Sequence, residues 1–258
     1  MRATEKLYYQ DQYLTVCEAS IVGVHTEAIE LDRTVAFPEG GGQEADHGVI
    51  DTPVGRIRFE QVKRIYGTPQ HIDGFKGVKS GGVILHLVHS DDLPLLAKLE
   101  DGMPVTVHID AMRRAKLTLS HSASHFLYAA ILDYDASFEE STIGCHIKEG
   151  SARFDFLTDE RFDADSIDRI QMAANRLIAQ DLPIQLGSLP QCPDARYWKY
   201  GDIFIPCGGT HLERPRTIGA LNVRRKNIGK GKERLICEFP EASVDLVNYH
   251  QGREEVRA

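Results

Sequence analysis

Two stretches of this chain carry residues that can hold a metal ion. His121-Ser122-Ala123-Ser124-His125 sets two imidazoles four residues apart. On an α-helix that spacing puts both on one face, close enough to bind one ion. Spacing alone leaves the ordinary reading open, two polar residues on a helix. The His-Glu-x-x-His chemistry of zinc proteases needs a glutamate at position 122, and Ser122 stands there instead. Pro206-Cys207-Gly208-Gly209-Thr210-His211 offers a thiol and an imidazole across a Gly-Gly pair. The glycines let the backbone turn so that both side chains converge. Alone, this segment reads as a buried free cysteine beside a loop histidine. Together, one thiolate and three imidazoles make a zinc donor set.

A third segment, Pro38-Glu39-Gly40-Gly41-Gly42-Gln43, lacks the Gly-Lys-Ser/Thr ending of a phosphate loop. Its glycines permit either a hairpin connection or close backbone approach to a ligand. Cys145-His146 raises the alternative of a thiol nucleophile, which the metal set makes unnecessary.

The elements that must position these residues change character along the chain. Leu14–Val24, Ala28–Leu31, Gly48–Asp51, Arg56–Val62, Gly82–His89 and Val105–Ile109 read as short strands broken by Gly and Pro, which suggests a small barrel or sandwich. From Asp110, a good N-cap, Ala111–Asp133 reads as a helix. Phe138–Phe156 reads as β. A second helix is expected from a cap at Asp165 or Ser166 to Asp181-Leu182-Pro183. Ile184–Leu189, Ile203–Ile205, Ala220–Arg225 and Arg234–Phe239 read as further strands. The expected organisation is a β-barrel sub-domain over 1–106, a metal-binding α+β domain over 107–240, and a tail over 241–258. Val244, Leu246, Val247 and Val256 suggest a terminal helix or a frayed end for that tail.

The chain has 258 residues, 42% hydrophobic and 26% charged, which excludes disorder and coiled coil as descriptions of the whole. No apolar run approaches the roughly 20 residues that span a bilayer. The N-terminal segment has no apolar core of the secretory kind, so a cytoplasmic setting is expected. Five cysteines, an odd number, suit a reducing compartment. The net charge of −8 argues against coating long nucleic acid non-specifically and leaves a local basic site open.

The succession Leu31-Asp32-Arg33-Thr34-Val35-Ala36-Phe37-Pro38-Glu39-Gly40-Gly41-Gly42-Gln43, then His121–His125, Gly144-Cys145-His146 through Phe156, and Pro206–His211 resembles the editing domain of alanyl-tRNA synthetase. In size it is most similar to the free-standing alanyl-tRNA editing proteins. Related motifs occur in the editing domain of threonyl-tRNA synthetase, but the Gly-rich segment points to the alanine side. The resemblance implies a barrel followed by an α+β editing domain of the threonyl/alanyl-tRNA synthetase type. It implies a zinc-assisted hydrolase that removes serine, and glycine, from mischarged tRNA-Ala. Family metal positions fall on His121, His125, Cys207 and His211, and the aminoacyl pocket on Thr34, Gly40, Gly41, Gly42, Gln43 and Thr142.

Three departures from the family pattern, Ala36, Thr142 and Cys145, bear on amino-acid selectivity more than on the reaction. Four protein ligands would close a tetrahedral zinc. One solution is that His211 or His121 stands apart or exchanges for water; the other is that zinc orients the substrate. Between Glu213 and Arg234, eight basic residues face two acidic ones, and Arg224, Arg225, Lys226, Lys230 and Lys232 are expected on a tRNA-binding hairpin loop. Arg113, Arg114 and Lys116 are expected to extend that surface. The alternatives are a non-catalytic zinc-stabilised RNA-binding module and a deacylase for another mischarged tRNA. The sequence leaves the oligomeric state open.

Overall fold

A computed structural model describes residues 3–159 and 161–252. Its first half is built on alternation. In β1 (Val16–Val24), Cys17, Ala19 and Ile21 turn inward while Glu18 and Val22 face water. With β2 (Ala28–Leu31), β3 (Gly48–Thr52), β4 (Gly55–Ile65), β5 (Val83–Val88) and β6 (Pro104–Ile109), this strand closes a barrel. The order around the ring is β6-β1-β2-β5-β4-β3, antiparallel throughout, and β3 pairs back with β6. Closure satisfies both edges of the sheet, which a sandwich of strands this short would leave open. Ile29, Ile50, Ile57, Phe59 and Val107 fill the interior. β6 runs through position 106 and ends at Ile109.

Asp110 then starts the long helix α1 (Ala111–Tyr134), accepting a hydrogen bond from the Arg113 backbone N–H at 3.0 Å. Nearly every side of α1 is covered, including Ser120, His121, Ser122, Ser124 and His125. The small Ser and Ala residues let neighbouring segments approach the helix closely.

Phe138–Ser141 forms a helical turn rather than strand. A hairpin follows, β7 (Thr142–Lys148) and β8 (Ser151–Leu157), turning at Gly150 with φ +77°. The second helix, α2 (Ala164–Ala179), is capped by Asp163, earlier than expected, through its carboxylate and the Ser166 N–H at 2.8 Å. Ile170, Ala174 and Ile178 form its buried stripe.

Next come β9 (Ile184–Leu189), β10 (Cys192–Tyr200) and β11 (Ile203–Pro206), a three-stranded sheet. β10 went unread in the sequence because Pro193, Asp194, Arg196 and Lys199 interrupt its apolar positions, yet Trp198 and Tyr200 are buried. β12 (Asn222–Asn227) and β13 (Lys232–Glu238) complete a four-stranded sheet ordered β7-β8-β13-β12. α1, α2 and these strands share a second core around Phe126, Ile131, Phe156, Ile170 and Trp198.

The two halves are welded by a buried ion pair. Arg114 and Asp46, both fully buried, are joined by hydrogen bonds, with Arg114 Nη1 donating to Gln12 O at 2.6 Å and Nη2 to Val35 O at 2.7 Å. Removing one partner of such a pair costs about 3–5 kcal/mol. Arg114 is therefore a structural residue, not part of a basic surface. Residues 241–252 contain no helix; the chain runs as an extended strap whose His250 exchanges backbone hydrogen bonds with Tyr13 and Thr15. Val256 lies outside the described residues. No helix among them is long and apolar enough to cross a membrane.

Candidate metal centre

α1 presents His121 and His125 on one face, ring centroids 5.0 Å apart. The loop after β11 brings up Cys207 and His211 from the other side. The His211 ring centroid lies 4.2 Å from that of His121 and 4.4 Å from that of His125. Cys207 Sγ lies 3.3 Å from His211 Nε2 and 3.5 Å from His121 Nε2. One ligand atom from each of the four residues falls within 4.8 Å of the others. While exchange of a ligand for water and substrate orientation by zinc both stay open, neither His211 nor His121 stands apart in this arrangement. The reason lies in Gly209, where a Cβ would sit 2.0 Å from His121 Cε1, so only glycine lets the loop close on the helix.

The unused nitrogens are held from behind. His121 Nδ1–H donates to Gln43 Oε1 at 2.6 Å, which leaves Nε2 free toward the cluster. Gln43 also accepts from the Thr210 N–H at 3.2 Å and donates to Thr210 Oγ1 at 3.2 Å. His211 Nδ1 faces Ser122 Oγ at 3.4 Å, and Ser122 accepts from the Leu212 N–H at 2.8 Å. Gln12 brackets the His211 backbone, accepting from its N–H at 2.9 Å and donating to its carbonyl at 2.7 Å. His125 Nδ1 is buried with no hydrogen-bond partner among the described residues.

Burial decides the protonation of this cluster. It lowers the His121 imidazole to about 3 and holds His125 and His211 well below the ordinary range, with neighbouring imidazoles adding to the effect. It pushes the Cys207 thiol up to about 12. Neutral imidazole is the form that ligates a metal. A cation is what would make the thiolate affordable here. The donor set and the orphaned His125 nitrogen therefore fit a zinc ion.

The cluster lies in the wall of a cleft of about 380 Å³. His121, His125 and Cys207 line it together with Gly40, Gly41, Tyr128 and Cys145. Of the expected pocket residues, Gly40 and Gly41 reach the cleft. Gly41 and Gly42 both have positive φ, +59° and +85°, and a Cβ at Gly42 would meet Cys145 Sγ at 2.4 Å. Gly42 thus serves the packing of the loop on β7. Gln43 is fully buried and positions His121 instead of meeting a ligand. Thr34 is also fully buried, its hydroxyl 2.9 Å from His86 Nε2 and accepting from the Ala36 N–H at 3.0 Å. Thr142 donates to the Phe138 carbonyl at 2.6 Å, behind Tyr128.

Burial raises the Cys145 thiol, and His146 turns to Glu44 at 3.1 Å, so no Cys-His nucleophile forms. The basic hairpin stands on β12, the edge of its sheet opposite β7. Arg224 pairs with Glu238, Arg225 with Glu233, and Arg234 with Asp155. Only residues 228–231 there are turn; Arg224, Arg225 and Lys226 are strand. Arg113 and Lys116 pair with Glu149. Lys226, Lys230 and Lys232 are exposed. Sequence reasoning missed Gln12, Tyr9, Lys76, Lys79 and Arg196, which tertiary contacts alone bring to the site.

An alanine–tRNA ligase from Methanothermobacter thermautotrophicus is 26% identical over 274 residues, covering 95% of this chain and 27% of the ligase. One from Methanoregula boonei is 28% identical over 281 residues, 99% of this chain and 27% of the ligase. The alanyl-tRNA editing protein AlaX-L of Pyrococcus horikoshii is 28% identical over 242 residues, 86% of this chain and 54% of that protein. The chain resembles the alanyl-tRNA editing proteins. It spans about a quarter of the length of the ligases and about half that of the editing protein. No protein-family model matches it.

Proposed function

We propose that the protein is a trans-acting aminoacyl-tRNA deacylase that hydrolyses the ester of mischarged tRNA-Ala, with serine the main substrate and glycine a second. The observation that carries this reading is the convergence of His121, His125, Cys207 and His211 in the wall of a cleft large enough for a terminal aminoacyl-nucleotide. Its relatives' names, alanine–tRNA ligase and alanyl-tRNA editing protein, support the same reading.

The four cluster residues would hold zinc, which supplies Lewis-acid polarisation or anchors the substrate. Gln43 and Ser122 keep the Nδ1 protons of His121 and His211 turned away from the cluster. Hydrolysis adds a water oxygen to the ester carbonyl carbon and breaks its bond to the ribose oxygen, which takes up a proton. Such an ester is labile, so placing it correctly contributes much of the rate. The Gly40-Gly41 backbone borders that place without side chains. The Thr34 hydroxyl lies outside the cleft lining, so recognition of a serine hydroxyl falls to Ser124 and Cys145, which line the cleft and, already donating to the His121 and Gly41 carbonyls, are left to accept from it. A pocket that hydrogen-bonds that hydroxyl rejects alanine by leaving polar groups unpaired.

The test is hydrolysis of seryl-tRNA-Ala beside alanyl-tRNA-Ala, with His125→Ala in parallel. Selective loss of serine, abolished in the variant, is expected. Intact seryl-tRNA-Ala with zinc-loaded protein would sink the reading. A second reading, a zinc-stabilised RNA-binding module, draws on the closed four-ligand set, which is the structural type of zinc site. It predicts that chelation unfolds the protein along with removing the metal.

A further inference from the structure

Between β4 and β5, residues 66–82 leave the barrel as an arm. Thr68–Pro69 pairs with Lys79–Ser80 along it. Its tip buries Phe75 against Cys192 and Ala195, with the Phe204 ring 6.0 Å away. Its base is clamped by Asp194, which accepts from Gly81 N–H at 2.9 Å and from Lys6 Nζ at 2.6 Å, while Arg64 donates to Gly81 O at 2.8 Å. The arm therefore crosses from the barrel to the β9-β10-β11 sheet and forms one wall of the cleft that ends at the His/Cys cluster.

Two lysines stand on this fixed arm. Lys76 and Lys79 are exposed, line the cleft and carry no ion pair among the described residues. Also lining the cleft, Arg196 lies over the Tyr9 ring at 4.4 Å, a flat cationic shelf of the kind on which bases stack. Of the acids lining the cleft, Asp194 is paired with Lys6 and Arg64, and Glu39 is exposed. Of the hairpin lysines, by contrast, Lys226 stands on β12, three strands from β7 and about 14 Å across the sheet, Lys232 on β13, two strands away, and Lys230 in the turn between them. A group whose last residue reaches the cluster has its nearest phosphates at the arm, not at the hairpin. The cleft admits something the size of one nucleotide, so a duplex is excluded and a single strand fits.

We propose that Lys76 and Lys79 of the arm, with the Tyr9–Arg196 shelf, dock the single-stranded 3′ end of an RNA whose terminal residue reaches the His/Cys cluster. This rests on the deacylase reading and names the residues that deliver its substrate. The lysines hold phosphate, and the shelf stacks a base regardless of sequence.

The experiment measures binding of a short, uncharged, fluorescent RNA ending in CCA, by anisotropy over a salt series. Wild type, K76A/K79A and K226A/K230A/K232A are compared, and the same proteins are assayed on seryl-tRNA-Ala. All five lysines are exposed, and circular dichroism checks that the variants fold. The arm variant is expected to bind the short RNA at least tenfold more weakly. Its salt slope should fall by about 1.4, for two single-strand phosphate contacts. KM for seryl-tRNA-Ala should rise by a similar factor with kcat nearly unchanged. The hairpin variant should bind the short RNA as wild type does.

No binding by wild type, or equal binding by the arm variant, overturns the dock. Hydrolysis that is intact and insensitive to the arm overturns the dock and leaves the deacylase reading standing. Arm-dependent binding without hydrolysis by wild type overturns the deacylase reading and keeps the dock.

Discussion

Two parts of the molecule bury histidine, and they use it differently. In the barrel, His86 is fully enclosed, its ring 5.2 Å from Phe59. Both of its nitrogens are spent, Nε2 on the Thr34 hydroxyl at 2.9 Å and Nδ1 on the Ile29 carbonyl at 3.3 Å. In the α+β half, His121 and His211 spend Nδ1 on an oxygen and turn Nε2 to the Cys207 thiol, and His125 Nδ1 has no partner at all among the described residues. Burial lowers the imidazoles in both places, so burial does not separate a structural histidine from a ligand. The convergence of ring nitrogens on one thiol does.

Breaking the cluster should have the largest effect. Cys207→Ala should abolish stoichiometric zinc retention, read by metal analysis after desalting. The single tryptophan, Trp198, packs 4.9 Å from the His125 ring, so its fluorescence should respond to added Co²⁺ in wild type and not in the variant. An unchanged metal content would collapse the distinction between the two histidine sites.

The barrel site should show itself in acid. Burial lowers the His86 imidazole to about 4, against 6.5 in the unfolded chain. Below pH 6.5 the unfolded state takes up a proton that the folded state refuses until about pH 4. Stability is therefore lost as pH falls through that window. The shift corresponds to about 3 kcal/mol at its lower end. His86→Gln, neutral at every pH, should remove this part of the acid sensitivity. Urea denaturation of both proteins at pH 7 and pH 4 measures it, and parallel losses would contradict the assignment.

A finer test takes away one spent nitrogen's partner. Gln43→Leu leaves the His121 Nδ1 proton without its acceptor. Loss of a supporting partner of this kind costs about 10–100-fold in metal affinity. Chelator competition should show that drop while the melting temperature of the barrel stays close to wild type. Unchanged affinity would mean that helix packing alone orients His121.

Much of the fold was readable where one physical signal dominated. Short apolar runs punctuated by Gly and Pro marked the six barrel strands to within a few residues, and Asp110 marked the start of α1. Reading failed where signals competed. Phe138–Ser141 is apolar and aromatic at its start yet turns as helix, because Phe138 packs on Phe156 and Phe162. β10 hid behind its charged residues, since its neighbours in β9 and β11 decide its burial. The basic hairpin looked freely charged because its partners Asp155 and Glu238 lie 79 and 14 residues from the arginines they hold.

The four residues of the His/Cys cluster were legible as two local pairs in the sequence by itself. Helical spacing joins His121 to His125, and the Gly-Gly turn joins Cys207 to His211, and both are local geometry. Tertiary structure alone decided that the two pairs meet, that Gln43 and Gln12 stand behind them, and that an arm from the barrel walls the cleft. These depend on contacts between residues that are 78 to 199 positions apart. Such contacts leave no periodicity in the chain, because their closure is set by the packing of whole elements rather than by any residue's neighbours.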